Sequence, residues 1–449
     1  MTVDPIIAIP AIASAGLILT SSVESAFYRV YLPVLLLLPS SHLWGWPLLN
    51  FNEYAIAPIG LILIWWIIKG RWRVSSIDFV VLAFLAWVFI SETHTSGFFD
   101  VAQRVADPIA LAVFPYMAGK LLIEQTGIRN AIIRRFVFLL FLDALLCFSE
   151  FRFGVNPLRV FFNSIFSSPD NWPTHSRYGF GRAAGPFGHP IFMGTIVAIA
   201  MLLHQYATRF SLWERAFRWL HTSRLTKSGV IWAGLVAGSI MTISRGPWIA
   251  VLAGGIVSAI GRADDRWQSL RRMLLILTIG GALLYVGGKA YVAGVDVADS
   301  AEEVSSAKYR TELLHEYRHI ALVQGFWGWG SSDWPKVRGM ISIDNWYLLV
   351  MLMYGITGVV LFGIMIVVPT TRLVWVGLMD QELSPDSRAM IFTMAGILTL
   401  IAVSVATVFL GGQLYPLLFV FLGWSDACLS YRPQTSTGLV SLNFRRVLA

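Results

Sequence analysis

Ser244-Arg245-Gly246-Pro247 separates two apolar runs, 228–243 and 248–261. So short a corner forces one guanidinium to stand where two hydrophobic segments meet. Arginine keeps its charge at any physiological pH and presents a planar fork of donors, which suits phosphate oxygens. A second arginine, Arg182, precedes Gly185-Pro186-Phe187 at the mouth of another apolar run, with Arg177 just upstream. Such a residue also has a plain use, its stem lying on apolar surface while its head reaches water. Two of them at one surface sharpen the reading to a clamp for a diphosphate, each fork holding two oxygens.

Asp344-Asn345 opens a further long apolar run that begins Trp346-Tyr347. An aspartate there either caps a helix or serves as a general base beside the arginines. Upstream, residues 307–324 have helical spacing, with Leu313, Leu314, Tyr317 and Ala321 as the apolar stripe and Arg310 at its head. Lys308, Arg318, Lys336 and Arg338 fit an ordinary solvated face, Arg310 being the better candidate. Arg177, Arg310, Arg318, Asn345 and Tyr347 are the candidate substrate-binding residues, and Arg182, Arg245 and Asp344 the catalytic ones. His315-Glu316-Tyr317-Arg318-His319 fits the H-E-x-x-H pattern of zinc proteases. Arg318 would repel the metal and no third ligand is evident, so a polar helix face is the better reading and no metal is expected. Asp143 lies inside the run 130–150, where an acid costs roughly 2.5–3.5 kcal/mol at a helix centre. It must face the bundle interior or a partner.

The elements that position these residues follow from composition. The chain has 449 residues, 56% hydrophobic and 13% charged, with mean hydropathy +0.66. A soluble protein is about a quarter charged, so this is an all-α polytopic membrane protein. Twelve spans are expected, at 28–41, 53–69, 77–93, 105–123, 130–150, 186–207, 228–243, 247–261, 273–292, 344–368, 389–410 and 412–430. Residues 5–21 form a thirteenth span or an interfacial helix. Residues 1–22 carry Asp4 and no basic start, unlike a cleavable signal peptide. Cys147 and Cys428 sit in different apolar runs and suggest neither a disulfide nor a metal site.

Orientation comes from the short basic loops. Lys69, Arg71 and Arg73; Arg129, Arg134 and Arg135; Arg209, Arg215, Arg218, Arg224 and Lys227; Arg262, Arg266, Arg271 and Arg272; and Arg372 and Arg388 all fall on one side. The tail with Arg432, Arg445 and Arg446 joins them, and positive charge marks the cytoplasmic side. The net charge of +8 is thereby explained without nucleic acid. Residues 151–185, the Arg245 corner and a large loop at 293–343 are then outer, within one membrane domain spanning 1–449. The first of these is aromatic, with Phe151, Phe153, Phe161, Phe162, Phe166, Trp172, Tyr178 and Phe180. Its stretch 157–166 reads as a short interfacial helix, either a lid on the bundle or a guide for a lipid chain. Gly355 and Gly358 are spaced for close helix packing.

In this order and sidedness the motifs resemble the bacterial O-antigen ligase and O-antigen/exopolysaccharide polymerase superfamily. The features are Arg182-x-x-Gly185-Pro186-Phe187, Ser244-Arg245-Gly246, Tyr309-Arg310, Gly328-Trp329-Gly330 and Asp344-Asn345 followed by Gly355 and Gly358. The resemblance implies a glycosyltransferase of the bacterial cytoplasmic membrane whose active site faces the periplasm. Its donor would be a polyprenyl-diphosphate-linked oligosaccharide and its acceptor a glycan, joined with inversion and without cofactor. Chain-length regulators or export proteins would be its protein partners. Ligases of the family usually have histidine where this chain has Asp344, which tilts the expectation toward a polymerase of repeat units; ligation to lipid A-core stays open. A lipid-linked oligosaccharide flippase is the alternative of another class. Transporters often carry internal repeats and midplane charge, whereas here no repeat is visible and charge collects at one surface.

Overall fold

Backbone polar groups find no water in a bilayer, so apolar segments satisfy them internally as helices. The computed structural model describes residues 5–431 except 45–48, 99–100, 102–105, 167–173, 215–225, 264, 294–301, 332 and 341. Trp172, Arg215, Arg218, Arg224, Arg432, Arg445 and Arg446 lie outside the described residues. The helices are α1 (Ile9–Thr20), α2 (23–37), α3 (Phe51–Ile68), α4 (Ser76–Ser96), α5 (106–122), α6 (Arg129–Phe153), α7 (Pro157–Ile165) and α8 (Pro190–Arg209). They continue with α9 (Lys227–Met241), α10 (Arg245–Ile260), α11 (Arg266–Ala293), α12 (Glu302–Val323), α13 (Trp346–Met379), α14 (Pro385–Ser404) and α15 (Leu414–Ser430). Strands among the described residues are two short antiparallel ladders, Leu43–Trp44 with Leu49–Asn50 and Ser176–Arg177 with Phe180–Gly181.

Among the described residues five helices, α3, α4, α8, α13 and α14, are long and apolar enough to cross a membrane, and α9, α10 and α15 are apolar but shorter. The protein is an all-α, multi-pass membrane protein. Small residues set its tightest crossing, between α10 and α14: a Cβ on Gly254 would sit 2.5 Å from the Gly396 carbonyl oxygen, and the reverse holds equally. Backbones meet there as they do in small-residue membrane interfaces. Asp143 is fully buried in α6, and neither carboxylate oxygen has a hydrogen-bond partner among the described residues.

Basic and acidic side chains tie one end of the bundle together. Lys120 on α5 sits 2.6 Å from both Asp78 and Asp426. Arg129 pairs with Glu124 and, at 2.8 Å, with Asp386, which also accepts from Tyr206. Arg372 donates to Ser76 at 2.6 Å, and Arg266 to the Gly377 carbonyl at 3.3 Å. The ends of α4, α6, α9 and α14, and the starts of α3, α8, α10, α13 and α15, lie at the other end.

Gly355 corrects one expectation. Instead of a smooth packing face with Gly358, it interrupts α13, with φ +68° and ψ −173°. That backbone region is essentially reserved to glycine. The segment 325–330 fills the break. Ile356 N–H donates to the Gly325 carbonyl (2.7 Å), while the Leu352 and Met353 carbonyls accept from Trp329 N–H (2.7 Å) and Gly330 N–H (2.9 Å). Trp87 Nε1 takes the Tyr354 carbonyl at 2.9 Å and Ser91 Oγ takes the Trp327 carbonyl at 2.6 Å. The freed Leu352, Met353 and Tyr354 carbonyls and the Ile356 N–H therefore have new partners, as a break inside a membrane protein requires. The helix ends at Met379 rather than near 368. Its part after the break, 356–379, makes about 36 Å of helix, enough for a bilayer core of ~30 Å.

In α12, Leu313, Tyr317 and Ala321 are buried against Ile343, Leu348 and Leu352. Leu314, expected in the same stripe, is 51% exposed. A helix places residues 313, 317 and 321 on one line, and 314 falls beside it.

Candidate functional site

The Arg245 corner is a strained turn between two helices. Ile243 holds φ +45°, unusual for a β-branched residue. The distortion stops α9 at Met241 and starts α10 at Arg245. Ser244 stands at the N-cap position of α10, but its side chain makes no cap hydrogen bond. It donates instead to the Thr242 carbonyl (2.9 Å) and accepts from Arg182 Nη2 (2.9 Å). Arg182 Nε reaches the Thr242 carbonyl at 3.3 Å. The two arginine motifs, 63 positions apart in sequence, are thus one hydrogen-bonded unit. Arg245 is exposed, its Nη2 3.4 Å from the Tyr178 hydroxyl. Arg177 donates to the Ile243 carbonyl at 3.4 Å, and its buried Nε has no hydrogen-bond partner among the described residues.

Glu150, at the end of α6, fixes the Arg182 segment. One of its oxygens accepts from Ala184 N–H (2.9 Å), Gly185 N–H (3.0 Å) and Asn156 Nδ2 (3.1 Å). Ala183 N–H bonds the Met241 carbonyl (3.0 Å), and buried Gln413 holds the Pro186 carbonyl at 3.1 Å. Over this mouth α7 lies with Phe162 and Phe166 inward, the latter stacked on His42 at 4.6 Å, and with Val160, Phe161 and Ile165 exposed. Phe151 stacks on Phe180 at 4.8 Å. Packing against the bundle and an outward apolar face coexist on one short helix.

Arg310 comes to the same place from α12, where its Nη2 donates to the Thr407 carbonyl at 3.3 Å. Its guanidinium pKa is lowered, first by burial and then by Arg177 and Arg245, while Asp344 works in the opposite sense. Those signs place Arg177, Arg245 and Asp344 each within electrostatic reach of Arg310. Asp344 is half-buried and accepts from Ser342 Oγ at 2.7 Å. It does not cap α13. Asn345 does, its side chain accepting from Leu348 N–H at 3.1 Å, and Asp344 lies within electrostatic reach of Arg310. Tyr347 turns the other way, its hydroxyl donating to the Ala402 carbonyl at 2.9 Å inside the bundle. Arg318 is exposed and no hydrogen bond or ion pair draws it toward the cluster among the described residues. His315 is 84% exposed and meets Glu316 at 3.5 Å.

His189 was not legible as part of this site. Its Nδ1 accepts from Ile191 N–H at 3.2 Å as the cap of α8. Burial, then Arg182, His175 and Arg310, push its pKa down to about 3. The imidazole is therefore neutral. With Nδ1 engaged as an acceptor, the ring proton belongs on Nε2, making His189 a donor rather than a base. His-Pro at a segment mouth was the available signal, but it says nothing of which side chains surround the ring. The starts of α8, α10 and α13 lie at this end of the bundle, and the partial positive charge of a helix N-terminus adds to that of the arginines. The cluster can hold an anion with several charges beside a single carboxylate.

Residues 229–363 match the family model described as O-antigen ligase. This region includes the Arg245 corner, Arg310, the segment 325–330, Asp344 and the break at Gly355. Arg177, Arg182 and His189 precede it. No curated protein matches the chain.

Proposed function

We propose that the protein transfers or polymerises oligosaccharide repeat units from a polyprenyl-diphosphate carrier, polymerisation being favoured. It does so in the cytoplasmic membrane, with twelve crossings and the arginine cluster facing the periplasm together with the loop 293–343. The match to the O-antigen ligase family supports a glycosyltransferase of this general kind. The observation that carries the finer reading is the convergence of Arg177 and Arg182, Arg245 and Arg310 from three separated segments, with Asp344 beside Arg310.

In this reading an acceptor hydroxyl attacks the anomeric carbon, a new C–O bond forms, and the sugar–diphosphate C–O bond breaks. The electron pair leaves on the diphosphate, which departs as the lipid carrier. Asp344 orients the hydroxyl, takes its proton and later returns it to solvent. Arg182, Arg245 and Arg310 neutralise the charge that builds on the leaving group. Such donors are most effective when already aimed before reaction, and Ser244 and Glu150 do that aiming. Asp344 in place of the histidine usual in ligases is what favours polymerase over ligase.

The test uses purified full-length protein in detergent with lipid-linked repeat units, scored by product ladder. Arg245→Lys keeps the charge and loses the fork. Removal of one preorganised donor costs about 10²–10³ in turnover elsewhere, and a loss of that order is expected. Asp344→Asn should fall at least tenfold with the donor KM little changed. Wild-type turnover in Arg245→Lys would sink the diphosphate clamp, and in Asp344→Asn the base.

A further inference from the structure

Beside the arginine cluster, on the other face of the α13 start, lies a separate cavity of about 520 Å³. It sits between the outer ends of α3, α4, α5, α13 and α15. Trp346, two residues past Asp344, forms part of its wall, as does the segment 410–412 that follows Thr407. Its volume falls within the roughly 300–1,000 Å³ of ordinary small-molecule sites.

Two of its walls hold unmet hydrogen-bonding capacity of opposite kind. Asn52 is 2% exposed and its Oδ1 has no hydrogen-bond partner among the described residues. Trp346 is 6% exposed and its indole N–H is likewise unmatched. Leaving such groups unsatisfied carries the full desolvation penalty of each, so each points to an occupant. One requires a donor and the other an acceptor. A hydroxyl is both.

The charge balance excludes the ligand proposed for the neighbouring cluster. Among the described residues, Glu92 and Asp107 line the cavity and no lysine or arginine does. A diphosphate would meet repulsion there. An alkyl chain would leave the Asn52 Oδ1 and the Trp346 indole N–H without partners. What fits is a ring with hydroxyls at its edge and C–H groups on its faces, which can lie against Trp346, Tyr354 and Tyr415. Glu92 is fixed in place, taking Ser331 N–H at 2.8 Å and Ser331 Oγ at 3.1 Å. Ser331 follows the turn that fills the Gly355 break, so the interruption of α13 also shapes this wall.

We infer that the cavity is a glycan subsite that takes one or two sugar rings without acidic substituents. Its assignment to the acceptor chain rests on the proposed glycosyl transfer; its binding of sugar does not.

Saturation-transfer NMR on the full-length protein in nanodiscs tests this directly. The probe is neutral oligosaccharide released by mild acid from the surface glycan of the cells that carry the gene. Wild type should show sugar-proton contacts, and Val88→Phe, which fills the cavity from α4, should weaken binding at least tenfold. Trp346→Phe removes the indole N–H while keeping a smaller aromatic ring and should weaken it about three- to tenfold. In the product-ladder assay Val88→Phe should raise the acceptor KM and leave kcat within about twofold. Melting of each variant in detergent is followed alongside, and the milder Trp346→Phe decides if Val88→Phe melts early. Arg245→Lys should bind the oligosaccharide like wild type. No contacts in wild type, undiminished contacts in both cavity variants, or inorganic pyrophosphate binding lost in Val88→Phe would each overturn the inference. Failure of the diphosphate clamp would appear only as an active Arg245→Lys, with the sugar contacts unaffected.

Discussion

Two chambers share the start of α13, and their chemistry is opposed. On one side, three arginine-bearing segments meet beside one aspartate near Arg310, and a histidine is held neutral by burial and by the charge around it. On the other, two carboxylates, two unmatched polar groups and aromatic rings enclose a space with no basic wall among the described residues. In the proposed reaction the first holds a dense anion, and by our inference the second holds hydroxyls. An enzyme that joins a sugar to a diphosphate-activated sugar has to accommodate both, and mixing them would let each ligand compete for the other's place. A few residues separate the two: Asp344 lies within electrostatic reach of Arg310, Asn345 caps the helix, and Trp346 walls the cavity.

The comparison breaks most severely at Gly355. Alanine there would bring its Cβ to 2.2 Å from the Phe326 carbonyl oxygen, on a backbone with φ +68°. Strain in that region alone costs about 1–3 kcal/mol, and the clash adds to it. Gly355→Ala should lose the folded protein or lower its melting midpoint in detergent by many degrees. A midpoint equal to wild type would mean that segment 325–330 does not dock in the break.

A smaller and more selective effect is expected at Ser244. Ser244→Ala deletes the acceptor for Arg182 Nη2 and leaves the Nε bond to Thr242. One net hydrogen bond is worth about 0.5–1.5 kcal/mol, or roughly a two- to tenfold fall in kcat. The acceptor KM should stay unchanged, because the cavity is not touched. A rise in that KM with constant kcat would mean the two chambers are not separable.

The smallest effect is one of pH. His189 is held to about 3 in the folded protein by burial and by Arg182, His175 and Arg310, against an ordinary value near 6.5. The unfolded chain therefore binds a proton below that ordinary value which the folded chain refuses. Stability is undiminished above about pH 6.5 and falls as pH drops from there toward 3. His189→Asn keeps a capping side chain and cannot titrate, so the decline of its melting midpoint between pH 6.5 and 4 should be shallower by a few degrees. An identical slope would show that His189 titrates as a free imidazole and that the cluster is less cationic than its geometry implies.

Much of the architecture was legible because the bilayer writes it as hydropathy. Apolar runs became helices, and the corners at Arg245 and Asp344 fell at helix starts, since polar groups mark where a span must end. The less legible features depend on non-local partners. Gly355 with Gly358 reads as a packing face until the segment 325–330 is seen to supply its hydrogen bonds from another part of the chain. Leu314 and Tyr317 look alike in an apolar stripe, but only one line of α12 meets α13. Glu150 carries no motif at all, and its importance lies in three donors brought to it by tertiary folding.

The sequence by itself determined the class of protein, the helical segments, the basic loops and a set of arginines at segment ends. Those are properties of composition and order, which local transfer free energies and charge decide. Only the tertiary structure decided that Arg182 and Arg245 share Ser244, that Asn345 rather than Asp344 is the cap, that Tyr347 turns inward and that Arg318 stays outside. It also decided that His189 is neutral and that a second chamber of opposite character lies against the first. Each of these depends on which groups approach within a few ångströms in a low-dielectric setting, and no one-dimensional pattern encodes that.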